Sequence, residues 1–395
     1  MGSEMCIRDR YLTGCPERLS ELGSSLSVKL QPGELFLSIA ATVGKPCITA
    51  IKACIHDGFV YFPQLTIPNK FLYYVFIGGH AYAGLGKLGT QLNLNTDTVA
   101  RIKVALGTEE EVASVVEFLD YETAKIDALI AMQQQLIALL GEKRQAVISH
   151  AVTKGLNPDA PMRDSGVQWL GKVPEHWTVV KLKHLVALPI IDGPHESPIK
   201  YDEGIPFISA EAIGGGYIDF EKKWGYISEE DHLRYKKRYV STKGDILMVK
   251  LGATTGVVAI VETDEEFNVW VPLAVIRCNE LADSHFVLNV LRSRNLINAY
   301  EVNWTYGTQQ TLGLRTIENL HIPLPPPKEQ EAIASELAAR LPQLELLSQK
   351  AVDAIEVMRE RRTALISAAV TGKIDVRGWK PPSSDVELET EMEVA

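Results

Sequence analysis

The sequence predicts an α+β protein in which two mixed α/β domains are separated by a long antiparallel two-helix coiled coil. Three observations support this fold class. The chain repeats itself, each copy contains short strand-like runs rich in β-branched and aromatic residues, and each copy ends in a helical pattern of about 40 residues. The period is far longer than that of solenoid repeats, so each copy is a domain followed by a long helix.

The duplication is visible at three places in the chain. The matching pairs are EKRQAVISHAVT at 142–153 with ERRTALISAAVT at 360–371, Gly89-Thr90-Gln91 with Gly307-Thr308-Gln309, and GELFLSIAATVG at 33–44 with GDILMVKLGATTG at 244–256. The first two pairs are separated by the same number of residues, and the third pair is separated by slightly fewer. Three matches in the same order indicate a duplicated unit. The second copy shows the strand-like runs best, at 204–209, 245–251, 257–262 and 269–277.

Composition along the chain divides it into six segments. We predict a first mixed domain over residues 1–105, a first long helix over 106–155, a linker over 156–176, a second mixed domain over 177–323, a second long helix over 324–373 and an acidic tail over 374–395. The linker is rich in Pro, Asp and Gly. The residues after Ser384 include acids and no base, which predicts a solvated, disordered tail. By the repeat offset, counterparts of the second domain's opening strands fall before residue 1, so we expect a partial first domain.

The two long helices carry an apolar stripe that suits a coiled coil. We expect them to pack through Leu119, Ile126, Leu129, Leu136 and Leu140 of the first helix and Leu337, Leu344, Ile355 and Leu365 of the second. The alternative is two unrelated amphipathic helices, each on its own domain. Pro342 lies inside the second pattern and is expected to kink it.

Composition and cysteine usage narrow the class of protein. Hydrophobic residues make up 46% of the chain, which is ordinary for a globular protein, and no apolar run approaches the roughly 20 residues of a membrane span. The chain has no signal-peptide pattern. The five cysteines form no CxxC pair. We therefore expect a reduced, cytoplasmic protein without structural zinc or a membrane partner.

Catalytic motifs are missing from the sequence. There is no phosphate-binding loop, no methyltransferase tetrapeptide and no nucleophile motif. Gly84 to Gly89 spell GxGxxG, but no helical period follows. Asp202, Glu221 and Lys223 can be arranged into a nuclease pattern, although a surface charge run explains them more simply. We predict a binding protein with no catalytic residue, no metal site and no cofactor.

Four segments carry a resemblance to a known family. RDSGVQWLGKVPEHWTVVKLK at 163–183 resembles the segment that opens each half of type I restriction-modification specificity subunits. DGPHESPIKYDEGIPFISAEAI at 192–213 resembles the start of their target recognition domains. IPLPPPKEQEAI at 322–333 and ERRTALISAAVTGKID at 360–375 are similar to their helical segments.

The resemblance implies a function and a set of partners. It implies a sequence-specific DNA-binding subunit without catalysis, whose two target recognition domains each read half of a split site in double-stranded DNA. The helices would set the gap, and two methyltransferase subunits and restriction/translocase subunits would assemble on the chain. The first target recognition domain would be truncated at its N-terminus. Two other classes remain open: a coiled-coil scaffold without DNA affinity, and a nuclease.

Candidate DNA contacts follow from side-chain chemistry. The net charge is −10, yet the chain holds a local basic run in which Lys236, Lys237, Arg238, Lys243 and Lys250 are candidates to neutralise phosphates. The polar candidates for base edges or phosphates are Thr254, Thr255, Tyr306, Thr308, Gln309 and Gln310, with Thr90 and Gln91 as first-copy equivalents. The alternatives are a solvated charged face for the basic run and a strand-capping turn for the threonines.

Overall fold

The computed structural model describes residues 10–15, 17–40, 43–83, 85, 94–302, 305–306 and 310–382. The chain divides into two units. The first comprises Met1–Leu136 with Lys350–Ala395, and the second comprises Ile137–Gln349. Within the described ranges, no helix combines the length and the hydropathy that a membrane span requires.

The first unit is built around a four-stranded sheet. Its elements are β1 (Tyr11–Leu12), α1 (Glu21–Leu26), β2 (Val28–Leu30), β3 (Leu35–Ser38), β4 (Pro46–Thr49), β5 (Ala53–Ile55), β6 (Phe59–Tyr61), α2 (Asn69–Ile77), α3 (Thr96–Ala100) and the start of α4 (Glu109–Lys154). The strand order is β1-β4-β3-β6, and β2 pairs with β5. Strands β3 and β4 are buried along their whole length, and the apolar helix α2 buries six consecutive residues, so strand and helix share one core.

The second unit contains two sheets and several hairpins. Its elements are β7 (Met162–Asp164), β8 (Lys172–Pro174), β9 (Thr178–Lys181), β10 (Ile191–Asp192), β11 (Ile205–Ile208), β12 (Ile213–Gly214), β13 (Tyr217–Ile218), β14 (Gly225–Ile227), α5 (Glu229–Lys236), β15 (Ile246–Val249), β16 (Val258–Ile260), β17 (Asn268–Val269), β18 (Leu273–Ile276), α6 (Ser284–Leu291), α7 (Arg294–Val302), β19 (Thr305–Tyr306), β20 (Gln310–Thr311), α8 (Leu314–Glu318), β21 (His321–Leu324) and α9 (Pro327–Val370). The larger sheet has the order β10-β18-β15-β16, and the smaller has the order β14-β11-β17.

The two long helices, α4 and α9, run antiparallel in each unit. In the first unit, Arg362 Nε donates to Asp127 Oδ1 at 2.8 Å, and Leu119 near the start of α4 shares a core with Ile366 near the end of α9. In the second unit, Ile148 near the end of α4 shares a core with Ile333 near the start of α9. The predicted α+β class is confirmed, and Pro342 lies within α9 as expected.

The positions predicted to join the helices divide into three groups. Leu119, Ile126, Leu140, Leu337 and Ile355 are buried, whereas Leu344 and Leu365 are half-buried. Leu129 and Leu136 are 45% and 42% exposed, so the prediction is wrong for them. The buried or half-buried stripe passes instead through Ile130 and Ile137, one residue later. One residue turns the side chain by about 100° around the helix, which is enough to leave the stripe.

Two segments predicted as connections are packed. In the predicted linker, β7 pairs with β8, and Leu170 and Val173 are buried in the core of the second unit. In the predicted tail, Val376 is buried and the Trp379 ring meets that of Phe118 edge-on at 5.3 Å. The tail therefore packs at its start. Its acidic part, from residue 383 on, lies outside the described residues.

The second mixed domain begins and ends at one place. Strand β9 at its start pairs antiparallel with β21 at its end, with Thr178 opposite Leu324 and Lys181 opposite His321. The buried Gln330 of α9 fixes the chain that follows. Its Nε2 donates to the Leu281 and Pro325 carbonyl oxygens at 3.0 and 2.9 Å, and its Oε1 accepts from Asp283 N at 2.8 Å.

Candidate nucleic-acid interface

Helix α5 presents the start of the basic run. Ser228 caps the helix by accepting from Asp231 N, acidic residues fill the first turn, and Arg234 and Lys236 occupy the last turn, as the helix dipole favours. The buried His232 seats the helix on the sheet. Its ring nitrogens lie 2.7 Å from Asn268 Oδ1 and 3.0 Å from Glu266 Oε2. The opposite face of the helix is therefore free to carry charge toward solvent.

Lys236 is held by a carboxylate of its own domain. Its Nζ lies 2.6 and 2.8 Å from the two oxygens of Glu266. The hydrogen bond from Lys236, followed by that from His232, lowers the pKa of the Glu266 carboxyl. Lys236 is therefore largely neutralised within the domain, and its prediction as a phosphate contact loses support.

Asp192 gathers two other members of the basic run. Arg238 Nη2 lies 2.8 Å from its Oδ1, while Lys250 Nζ and His195 Nε2 lie 3.2 and 3.0 Å from its Oδ2. Burial alone would raise the pKa of Asp192, but the hydrogen bonds and charges of Lys250 and His195 hold it below its ordinary value. The Lys250 side chain is only 11% exposed. Lys250 stays a predicted phosphate contact, although its ammonium group already contacts Asp192 inside the domain.

Lys237 and Lys243 differ from the rest of the run. Both are exposed. In the described part of the chain, neither lies within ion-pair distance of a carboxylate. Arg238 is intermediate, since its side chain is 53% exposed although one nitrogen contacts Asp192. The exposed, uncompensated charge of the run is therefore concentrated at Lys237 and Lys243.

The turn after β15 adjoins a hairpin predicted to contact DNA. Leu251 forms a bridge with Thr311, and Leu312 N donates to Lys250 O at 2.8 Å. Within the hairpin, Tyr306 on β19 pairs with Gln310 on β20. Thr308 and Gln309, like the first-copy residues Thr90 and Gln91, lie outside the described residues. The predicted turn and the predicted hairpin are thus brought together.

The two threonines of this turn have different surroundings. Thr254 is exposed. Thr255 is buried, and its Oγ1 donates to Gly252 O at 2.7 Å, which closes the turn. Thr255 stays a predicted DNA contact, although its hydroxyl already donates to the backbone of its own turn.

Comparison with known proteins finds one family domain and several similar proteins. Residues 174–352 match the family model of the type I restriction modification DNA specificity domain. The chain is similar to type I specificity subunits in this region and beyond it. It is 24% identical over 304 residues to the type I restriction enzyme EcoBI specificity subunit of Escherichia coli, and 26% identical over 289 residues to the MjaVIII specificity subunit of Methanocaldococcus jannaschii. These matches cover 75% and 70% of this chain but 63% of each relative.

A solved structure shows the same fold. It is described as the structural basis underlying complex assembly and conformational transition of the type I R-M system. The match covers 87% of this chain and 82% of that one, with a TM-score of 0.66 and 16% sequence identity. The solved structure therefore confirms the predicted fold, while the match to the DNA specificity domain supports the resemblance noted in the sequence.

The sequence did not predict the carboxylates that lie beside the basic run. Asp192 and Glu266, with Glu196 beside Arg234, compensate much of the basic run, and a cleft of about 400 Å³ lies among Asp192, His195, Arg234 and Arg238. A weak signal existed, since DGPHESP and TDEEF flank the basic run and place acids near strand ends. Among the described residues, no group of His, Cys, Asp and Glu could hold a metal ion.

Proposed function

We propose that this chain is the DNA-recognition subunit of a type I restriction-modification complex and does no chemistry itself. The observation that carries the proposal is the match of residues 174–352 to the DNA specificity domain, because that range contains the second mixed domain and its basic run. In this proposal the domain binds double-stranded DNA, while methyltransferase and restriction subunits supply the reactions.

Phosphate contacts are proposed for the exposed part of the run. Lys237 and Lys243 are exposed and uncompensated among the described residues, and Arg238 keeps guanidinium donors beyond the one that contacts Asp192. Lys236 and Lys250 support DNA binding indirectly, because their ion pairs with carboxylates hold α5 and β15 in place. The net charge of −10 makes these local cations decisive, since a DNA backbone is repelled elsewhere.

Base contacts are proposed for the adjoining turn and hairpin. Thr254, Tyr306 and Gln310, with Thr308 and Gln309 between them in sequence, provide hydroxyl and amide groups that suit base edges. In the first copy, Thr90 and Gln91 take the equivalent role, so that the chain reads a two-part site. We also propose that the paired helices α4 and α9 offer the surface on which two methyltransferase subunits, and then the restriction subunits, assemble.

The test compares two exposed lysines with a third. Lys237→Ala with Lys243→Ala, in the chain assembled with its methyltransferase subunit, should weaken DNA binding and reduce the slope of log affinity against log salt by roughly one unit per lost contact. The control is Lys222→Ala, since Lys222 is 67% exposed but paired with Asp219 at 3.1 Å. Filter binding over a salt series measures the slope.

Three outcomes would contradict the proposal. An unchanged slope in the double variant would show that the run is a solvated face. A wild-type assembly that binds no DNA would favour a coiled-coil scaffold. Cleavage of DNA by the purified chain with Mg²⁺ alone would favour a nuclease.

A further inference from the structure

Two arginines of the second unit converge on one small cavity. Arg144 comes from α4, and Arg292 follows the last turn of α6. They line a cavity of about 240 Å³ together with Gly215, Gly216 and the turn residues Thr255 and Gly256. Among the described residues, no Asp or Glu side chain lines this cavity. Neither arginine belongs to the basic run. Arg144 lies in the repeated segment 142–153, for which the sequence predicted a long helix and no ligand contact.

Arg292 is fixed against a glycine turn. Its Nη2 donates to Gly215 O at 2.8 Å. The backbone at Gly216 has a φ of +97°, and a Cβ there would lie 2.6 Å from Arg292 Nη1. A side chain at this position would therefore displace the guanidinium, so the turn needs glycine both for its backbone conformation and for the close approach.

Arg144 brings a second charge to the same place without a compensating partner. Its Nε is buried and makes no hydrogen bond among the described residues. Burial and the neighbouring charge of Arg144 lower the pKa of Arg292 to about 10. Glu345, which lines a larger adjoining cavity, opposes this shift, but neither arginine forms an ion pair with it in the described part of the chain. Two half-buried like charges lower the stability of the fold unless an anion joins them.

We propose that Arg144 and Arg292 form a phosphate-binding site that takes a phosphodiester group of the DNA backbone. A phosphate oxygen accepts from a guanidinium in the planar, two-bond geometry that arginine offers, and an anion between the two groups would satisfy Arg144 Nε. The source of the phosphate rests on the proposed function. It is supported by the turn at Thr255 and Gly256, which lines this cavity and adjoins the hairpin proposed to read bases.

The first experiment uses inorganic phosphate and needs no DNA. Thermal unfolding of the full chain is followed in phosphate and in chloride at equal ionic strength. The midpoint of the wild type should rise with phosphate concentration, because a ligand that binds only the folded state stabilises it. Arg144→Gln should lose this response and should unfold at a higher temperature than the wild type in chloride, because the repulsion between the arginines is removed.

The matched control is Arg340→Gln. Arg340 is 51% exposed and pairs with Glu336 on α9, so its loss should leave the phosphate response as in the wild type. Gly216→Ala keeps both charges but displaces Arg292, and it should also weaken the response. A general salting effect of phosphate would appear equally in all variants and would overturn the proposal.

The second experiment identifies the source of the phosphate. In the assembly with the methyltransferase subunit, Arg144→Gln should lower the salt slope of DNA binding by roughly one unit, whereas Arg340→Gln should not. A phosphate response with an unchanged DNA slope would overturn the DNA source and leave a site for free phosphate. If the wild type shows no phosphate response and Arg144→Gln leaves the salt slope unchanged, the site itself is overturned. If the wild-type assembly binds no DNA, the proposed function fails, and the thermal experiment still decides the site.

Discussion

The two units share a three-stranded frame. In the first unit β3 lies between β4 and β6, and in the second β15 lies between β16 and β18, with the same antiparallel registers. The turns agree as well. Gly33 and Gly244 have φ of +92° and +90°, and Gly44 N donates to Ser38 O at 2.8 Å where Gly256 N donates to Val249 O at 2.7 Å. The frames differ at both edges. In the second unit β10 pairs with β18, while no described strand extends the first frame beyond β6; in the first unit β1 pairs with β4, while no described strand extends the second frame beyond β16.

The charged residues placed on this frame differ between the units. In the second unit Asp245 is buried, accepts from Thr242 N, and pairs with Arg277 at 2.7 Å. Glu34 of the first unit accepts from Gln31 N in the same way, but the strand register places Pro63 where the second unit has Arg277. Similarly, Ile39 follows β3 where Lys250 follows β15.

The first unit has its own polar network at another place. Asp120 of α4 accepts from Arg10, from Lys70 at 2.7 Å and from Tyr74 at 2.6 Å, and it thereby ties β1 and α2 to the long helix. The comparison shows that the duplicated units keep their apolar frame and turns, whereas each unit has acquired different buried charges.

The cost in unfolding free energy should differ most between the two units when Asp245→Ala is compared with Glu34→Ala. Asp245→Ala leaves Arg277 without its buried partner, which typically costs about 3–5 kcal/mol, because the arginine charge stays partly desolvated. Glu34→Ala in the first unit should cost about 1 kcal/mol or less, as expected for an exposed contact. Urea unfolding followed by tryptophan fluorescence measures the first effect well, since five of the six tryptophans lie between Ile137 and Gln349. Equal costs would show that the two carboxylates are equivalent after all.

Acid should weaken both networks over the same pH range. Burial opposes the shift at Asp120, but the hydrogen bonds and charges of Lys70, Tyr74 and Arg10 lower its pKa, and Asp192 is shifted in the same direction. A lowered folded pKa means that the stabilisation is complete above the unfolded pKa of about 3.9 and is lost as the pH falls through the folded value. Asp192→Asn and Asp120→Asn should each cost about 1.5–3 kcal/mol at pH 7.

The pH dependence distinguishes this electrostatic role from packing. Denaturant unfolding at pH 7 and near pH 3 should show a difference between wild type and variant that shrinks at the lower pH. A difference that stays constant would mean that the aspartates act through shape alone. The Asp192 variant should lose more, since its partner Lys250 is nearly buried.

Gly33→Ala and Gly244→Ala should give smaller effects than the aspartate variants, and their effects should be equal. Both glycines have a positive φ, and neither site is crowded, since an added Cβ meets nothing within 4 Å at Gly33 and only Ser284 Oγ at 3.6 Å at Gly244. The cost should therefore be the backbone strain alone, about 1–2 kcal/mol in each unit. Thermal unfolding of the two variants measures it, and clearly unequal losses would argue against a common frame.

Local patterns in the sequence predicted the positions of the long helices and of several strands. The long helices were expected over 106–155 and 324–373 and run over Glu109–Lys154 and Pro327–Val370. Apolar runs predicted β11, β15 and β16. The run at 269–277 was expected as one strand but forms β17 and β18, separated by a segment that contains Pro272, which cannot donate to a ladder.

Long-range pairing limited the prediction of the site. Asp192 neutralises Arg238 from 46 positions away, and Glu266 neutralises Lys236 from 30 positions away. A run of bases in a sequence does not reveal such partners, because they are set by how strands pair. The helix seam failed for a related reason, since the periodic pattern around Leu129 and Ile130 contains apolar residues on both sides of the stripe.

The pairing of β9 with β21 has a consequence for inheritance. The second domain leaves and rejoins the chain at neighbouring positions, between Thr178 and Leu324. A segment with adjoining ends can be exchanged, lengthened or shortened while its two exit points keep their positions, because the flanking chain experiences only the closed strand pair. Recombination between related genes at these two points would therefore transfer the complete second mixed domain in one event.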